Sequence, residues 1–186
     1  MSCHGGFALE EKLRRTWYNP EAILNEAGLH EGMTFVDVGC GDGFFTLLAA
    51  KVVSKTGKVY AVDTDSSAIQ KLNHKATQQN LHNIHAKTGA GEETVFCKGC
   101  ADIVFYSMVL HDFKNPVEVL QNAKQMLKPD GTLVDLDWKK KLMPFGPPLP
   151  IRFSEEKASD LIKQAGLKVQ TIREAGPHHY IVTAKP

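Results

Sequence analysis

The chain has 186 residues, 42% of them hydrophobic and 23% charged, the size and composition of one ordinary globular domain. A chain this long buries enough surface to fold without a metal or disulfide staple, which excludes a small stapled scaffold. Twenty-two Lys and Arg against 21 Asp and Glu leave a net charge of +1, so no strong field recruits nucleic acid or an anionic membrane.

The elements are expected in alternation. Residues 7 to 17 carry Phe7, Leu9, Leu13 and Trp17 near helical spacing. Asn19-Pro20 reads as a cap followed by a proline at the first helical position, and that helix stops at Gly28. Thr34–Val38 reads as a strand running into a glycine cluster, Phe44–Ser54 as a helix, and Lys58–Asp63 as a second strand. Ser66 is expected to cap a helix reaching about Gln79, with a short strand from His82 to Lys87. Ala101–Ser107 is a nearly continuous apolar strand, and Asn115-Pro116 repeats the cap-and-proline start for a helix ending near Lys128. Pro129–Gly131 reads as a turn before a strand at Thr132–Asp137.

Four prolines then break Leu142–Pro150. Ser154 opens a helix that stops at Gly166, and strands at Lys168–Ile172 and Tyr180–Ala184 flank Gly176-Pro177 closely enough to pair antiparallel. Strands separated by helices imply a parallel sheet covered on both faces, with ligands beyond the carboxyl ends of its strands.

Those ends carry the chemistry. Gly39-Cys40-Gly41-Asp42-Gly43 joins the first strand to its helix, where glycine permits a sharp turn and close approach of a ligand. Asp63 ends the next strand, twenty residues past Gly43, where a carboxylate accepts from both ribose hydroxyls. A dinucleotide loop needs its third glycine where Phe44 stands. Asp37 and Asp42 would also repel a pyrophosphate, whereas both suit the ammonium of a methionine moiety. S-adenosylmethionine (SAM) is therefore favoured over NAD.

At this point the sequence resembles the class I SAM-dependent methyltransferases, most of all the branch containing the ubiquinone and menaquinone biosynthesis enzymes. Val36–Gly43 looks like the family's first motif and Val59–Asp63 like its ribose-binding strand. Asp102–Phe113 is similar to the fourth-strand segment, Met126–Leu133 to the turn before the fifth strand, and Ala165–Val169 with His179–Pro186 to the last two strands. The resemblance implies a three-layer α/β/α Rossmann-like sandwich, with a seven-stranded, mostly parallel sheet whose last strand is antiparallel. It divides one domain into a helical cap (1–30), a cofactor-binding core (31–138), a Pro-rich loop (139–153), and a helix with a terminal hairpin (154–186).

Carried over by position, Gly39, Cys40 and Gly41 line the methionine portion and Asp37 reaches its amino group. Asp63 holds the ribose, Thr64 lies beside the adenine, and Ser107 offers a backbone contact near the amino-acid end. Many relatives place an acid where Gly89 stands here, so adenine recognition is expected from the backbone of Gly89 and Ala90. The product is S-adenosylhomocysteine.

Methyl transfer from a sulfonium needs alignment and, for some acceptors, a base. The Asn/Asp-Pro-Pro-Tyr/Phe signature is replaced by Ser107–Leu110, which disfavours methylation of DNA adenine or glutamine amide. His111 follows the fourth strand and reads either as a base or as a structural cap; Asp112 beside it either orients it or is solvated. Tyr18 is expected over the cofactor, Trp17 in the packing, and Trp138 with the Pro-rich segment on the other wall. Lys139–Lys141 either greet an acidic acceptor or are simply solvated. His178 and His179 are expected at the far end from the site. Cys97 and Cys100 have zinc-like or redox-like spacing, and Cys3-His4 would have to complete a metal site; reduced thiols and no metal are expected. A small-molecule acceptor, no nucleic acid, no membrane span, a cytoplasmic location without a signal peptide, and a monomer or homodimer complete the reading. The alternatives are a non-catalytic SAM-binding regulatory module and a thiol or metalloid methyltransferase of the arsenite kind.

Overall fold

The computed structural model describes residues 11–186. Seven strands form one sheet: β1 (Thr34–Val38), β2 (Lys58–Asp63), β3 (Ile84–Thr88), β4 (Ala101–Ser107), β5 (Leu127–Trp138), β6 (Lys168–Ala175) and β7 (His179–Lys185), in the order β3-β2-β1-β4-β5-β7-β6. The pairs from β3 through β5 are parallel, and β7 is antiparallel to both β5 and β6. Among the described residues six α-helices accompany them: α1 (Glu11–Trp17), α2 (Pro20–Glu26), α3 (Phe44–Val53), α4 (Ser66–Gln78), α5 (Pro116–Met126) and α6 (Glu155–Gln164).

β1 and β4 are nearly continuous apolar runs because both of their faces are covered. On one face Val104, Tyr106 and Leu133 pack against Val119, Leu120 and Ala123 of α5 and Ala158 and Ile162 of α6. On the other, Phe35, Phe105 and Leu136 pack against Ile23 and Leu24 of α2 and Phe45 and Ala49 of α3. The two clusters form the layers of the α/β/α sandwich. The order reverses between β1 and β4, so the crevice at that point opens beyond their carboxyl ends.

Asn19 caps α2 as expected, accepting from the Ala22 N–H at 3.0 Å. Three local expectations change. Asp65 rather than Ser66 caps α4, because its carboxylate reaches the Ser67 N–H at 2.8 Å. Asn115 precedes Pro116 but makes no side-chain cap bond. Residues 129–131 fall inside β5, where the register against β4 shifts after the Ala101–Leu127 pair. Of the first expected helix, Phe7 and Leu9 lie outside the described residues; Trp17 is buried, but Leu13 is 45% exposed.

The terminal hairpin changes the map of the site. β7 runs antiparallel to β5, so His179 pairs with Trp138 at the carboxyl end of β5. His178 and His179 therefore lie at the same edge as the glycine loop, not at the far end.

Candidate active site

The loop after β1 turns through Gly39 (φ 75°) and Gly41 (φ 54°), left-handed conformations that L side chains rarely adopt. A Cβ on Gly39 would strike Val109 at 2.5 Å, whereas one on Gly41 would meet nothing within 4 Å. Gly41 thus presents bare backbone to open space, a place a ligand can approach.

Asp63, at the end of β2, accepts from the Gly41 N–H at 2.7 Å and from the Asp65 N–H at 2.9 Å, one through each oxygen. Its remaining lone pairs are available to a ribose. Asp37 is buried and accepts from Thr46 at 2.6 Å through Oδ2, while Oδ1 is buried with no hydrogen-bond partner among the described residues. Burial, only partly opposed by the Thr46 bond and the Arg14 charge, lifts the Asp37 carboxyl to about 6. An ammonium placed there would satisfy the orphan oxygen and favour the charged form. These residues fit SAM.

Other loop positions behave differently. Asp42 turns away to pair with Lys75 of α4 at 2.6 Å, so it does not serve the ammonium. Cys40 packs among Leu47, Ile69 and Leu72, and burial pushes its thiol pKa up. The Gly89 N–H donates to the Asp63 carbonyl at 2.9 Å, so of its backbone groups the carbonyl is the one left to face a ligand. Thr64 is exposed directly after Asp63.

Across the crevice, α1 contributes Arg14, from the segment 14–18 expected over the cofactor, with partners the sequence does not announce. Arg14 donates to the Tyr18 hydroxyl at 3.1 Å and to the Ser107 hydroxyl at 3.0 Å, and its guanidinium lies 4.1 Å from the Phe44 ring centroid. The charge of this cation acts on the Asp37 carboxylate. Burial, opposed by Arg14, raises the Tyr18 phenol pKa.

The acceptor side comes from segments far apart in sequence. Met108 bends the chain after β4 with φ 58°, an uncommon value for a non-glycine residue. His111 follows in a short 3-10 turn, Leu110–Asp112. Its Nδ1 lies 2.8 and 2.9 Å from the two oxygens of Asp137, and its Nε2 lies 3.7 Å from Asp112. Nδ1 must carry a proton to donate to Asp137, which in the neutral ring makes Nε2 the unprotonated nitrogen. Burial alone would lower the His111 pKa, but Asp137, helped by Asp112 and opposed by Arg152, raises it.

Two residues below Asp137 on β5, Asp135 is fully buried, and neither oxygen has a hydrogen-bond partner among the described residues. Desolvation and the Asp137 charge hold its pKa well above the usual carboxylate range.

The aromatic wall is equally composite. Trp17 stacks on Phe145 at 5.4 Å and meets Trp138 edge-on at 5.2 Å. His179 sits 4.2 Å from Trp138 and 5.1 Å from Tyr18, fully buried, with both ring nitrogens unpartnered among the described residues. Burial first, and then the neighbouring cations, lower its pKa to about 3, so this imidazole is neutral.

The Pro-rich segment is held by one buried cation. Arg152 donates to the carbonyls of Phe145, Pro147, Lys139 and Lys141. Lys139 pairs with Glu174 and Lys141 donates to the Pro177 carbonyl, so both are fastened to the terminal hairpin rather than offered to an acidic acceptor.

Cys97 and Cys100 are joined as a disulfide, not held as reduced thiols, and lie at the amino end of β4, opposite the glycine loop. Among the described residues buried Cys40 is the free cysteine, so these residues bring one free thiol to the glycine loop for the metalloid alternative. Among the described residues no group of three His, Cys, Asp or Glu is arranged to hold a metal, and no helix is long and apolar enough to cross a membrane. Cys3 and His4 lie outside the described residues.

Comparison with known proteins agrees with this geometry. A family model described as a methyltransferase domain matches residues 29–168. A SAM-dependent methyltransferase from Aquifex aeolicus superposes with a TM-score of 0.87 at 31% identity, covering 92% of this chain and 91% of that one. A geranyl diphosphate methyltransferase solved in complex with SAM shares the fold, with a TM-score of 0.71 at 16% identity over 89% of this chain and 83% of its own. Demethylmenaquinone methyltransferase of Staphylococcus aureus is 27% identical over 123 residues, 66% of this chain and 50% of that protein. The chain thus spans about half the length of the curated relatives it matches.

Proposed function

This chain belongs to the class I SAM-dependent methyltransferases, and from that premise we propose that it transfers the methyl group of SAM to a small-molecule acceptor. The observation that carries the reading is the bare face of Gly41 flanked by Asp63 and by the orphan oxygen of Asp37. When bound, SAM supplies a methyl group already activated on a cationic sulfur.

The residues of this chain then do the positioning. Asp63 accepts from the ribose, Asp37 holds the amino group, and Arg14 is placed to meet the carboxylate by letting go of Ser107 and Tyr18. Ala90 and Thr64 border the adenine. The acceptor enters between Tyr18, His111 and Trp138. There His111 Nε2 takes a proton from an acceptor that must lose one, and Asp137 stabilises the imidazolium so formed. Trp17, Trp138 and Phe145 favour a flat, largely apolar acceptor. The relatives named demethylmenaquinone methyltransferase make a quinone-type ring the first acceptor to try.

The test is release of S-adenosylhomocysteine when the purified chain is given SAM and an extracted small-molecule pool or a demethylated quinol. Product formation that depends on the added pool is expected. Tight SAM binding with no turnover on any fraction would instead favour a non-catalytic binding module.

A further inference from the structure

We propose that Cys97 and Cys100 form a redox-active dithiol site, closed and opened by exchange with small thiols and dithiols, which fastens the entry of β4 to the end of α5. The site is separate from methyl transfer. Six residues of β4, about 20 Å of strand, lie between it and Ser107 at the cofactor edge.

Four observations meet here. The two sulfurs are bonded across a separation of three residues. Both cysteines are only half-buried, with Lys98 and Gly99 exposed between them, so a reductant can reach the bond. Gly99 has φ 59°, and the space a Cβ would occupy there is open. The Gly99 and Cys100 N–H groups both donate at 2.9 Å, to the carbonyls of Gln125 and Met126 where α5 passes into β5. The ring therefore sits at the junction where the β4–β5 register shifts.

A bond that only stapled the fold would be superfluous in a core this large. A reachable bond closing so short a loop, with an exposed lysine inside it to favour the thiolate, has the features of the exchangeable kind. A thiolate of the reducing dithiol attacks one sulfur and the Cys97–Cys100 bond breaks, giving a mixed disulfide. The second thiol of the reductant then displaces the protein sulfur. Two electrons and two protons end on Cys97 and Cys100, and the reductant leaves as its own disulfide.

The experiment uses the full chain with Cys3→Ser, so that residue cannot exchange with the pair. The protein is equilibrated in glutathione buffers from reducing to oxidising, alkylated while folded, and read by peptide mass spectrometry. The expected result is one reversible transition in which Cys97 and Cys100 gain or lose the label together while buried Cys40 stays unlabelled. Amide exchange at Gly99 and Cys100 should quicken by about tenfold on reduction, because opening the ring loosens the local fold. SAM affinity should be the same in both states, which keeps this test apart from the methyltransferase reading. A bond that survives excess dithiothreitol, thiols that stay free in oxidised glutathione, or amide exchange that ignores the redox state would each overturn the proposal. None of these readings needs a cysteine-pair variant to fold.

Discussion

The two halves of the carboxyl edge are built on different plans. The donor half, over β1 and β2, is local: Asp37, Gly39, Gly41 and Asp63 fall within two consecutive strand ends, and Gly41 bonds directly to Asp63. The acceptor half, over β4, β5 and β7, is assembled from Trp17, the turn at His111, the end of β5, the 139–153 loop and the terminal hairpin. The donor half leaves open backbone and an orphan acid for a polar ligand. The acceptor half buries its polar groups among aromatic rings. One half is a motif, and the other is a set of long-range contacts.

The largest expected effect probes the acceptor half. His179 has a folded pKa near 3, below its unfolded value, so the unfolded chain binds the extra proton first as pH falls. The stability from keeping this ring neutral is complete above about pH 6.5 and is lost through the folded pKa, roughly 5 kcal/mol by pH 3. Urea unfolding across that window should show His179→Phe losing much less than wild type. Equal losses would mean the ring is hydrated rather than buried.

The next effect has the opposite sign and lies in the donor half. Asp37 titrates near 6 in the fold, so the native state holds its proton longer than the unfolded chain does. Stability therefore falls as pH rises from about 4 to 6, by about 3 kcal/mol, and that penalty stays at neutral pH. Asp37→Asn should raise the unfolding midpoint at pH 7.5 while weakening SAM. A variant that loses both stability and binding would break the contrast between the halves.

Smaller still, Arg152→Met should destabilise by about 1.5–3 kcal/mol, since buried carbonyls lose a charged donor. The loss should appear first as a change in Trp17 and Trp138 fluorescence, because Phe145 is held against both rings. An unchanged spectrum would show that the Pro-rich loop keeps its place without the guanidinium.

The same contrast explains what could be read in the sequence. Strand β1, the glycine turn and Asp63 announce themselves because spacing along the chain and position in space coincide there. The role of Arg14 was hidden because its partners, Tyr18 and Ser107, are four and 93 residues away. Asp137 looked like one polar position in a strand until β5 carried it to His111, and Asp135 gave no signal beyond alternation along β5. The histidines of the hairpin were misplaced for a definite reason: an antiparallel final strand returns its first residue to the edge where its neighbour β5 ends. The bond from the Gly89 amide to Asp63 was hidden too, because pairing between strand ends makes it. The Pro-rich loop was legible as irregular, but its single buried anchor, Arg152, was not.

The central claim is that the donor half binds SAM independently of the acceptor half. Calorimetry of SAM against wild type, Asp63→Ala and His111→Ala, on folded protein at one pH, tests it most directly. Asp63→Ala should lose about 1–3 kcal/mol of binding, the usual loss for a charged hydrogen-bond partner, and His111→Ala should bind as wild type does. Unchanged affinity in Asp63→Ala, or an equal loss in His111→Ala, would contradict the account.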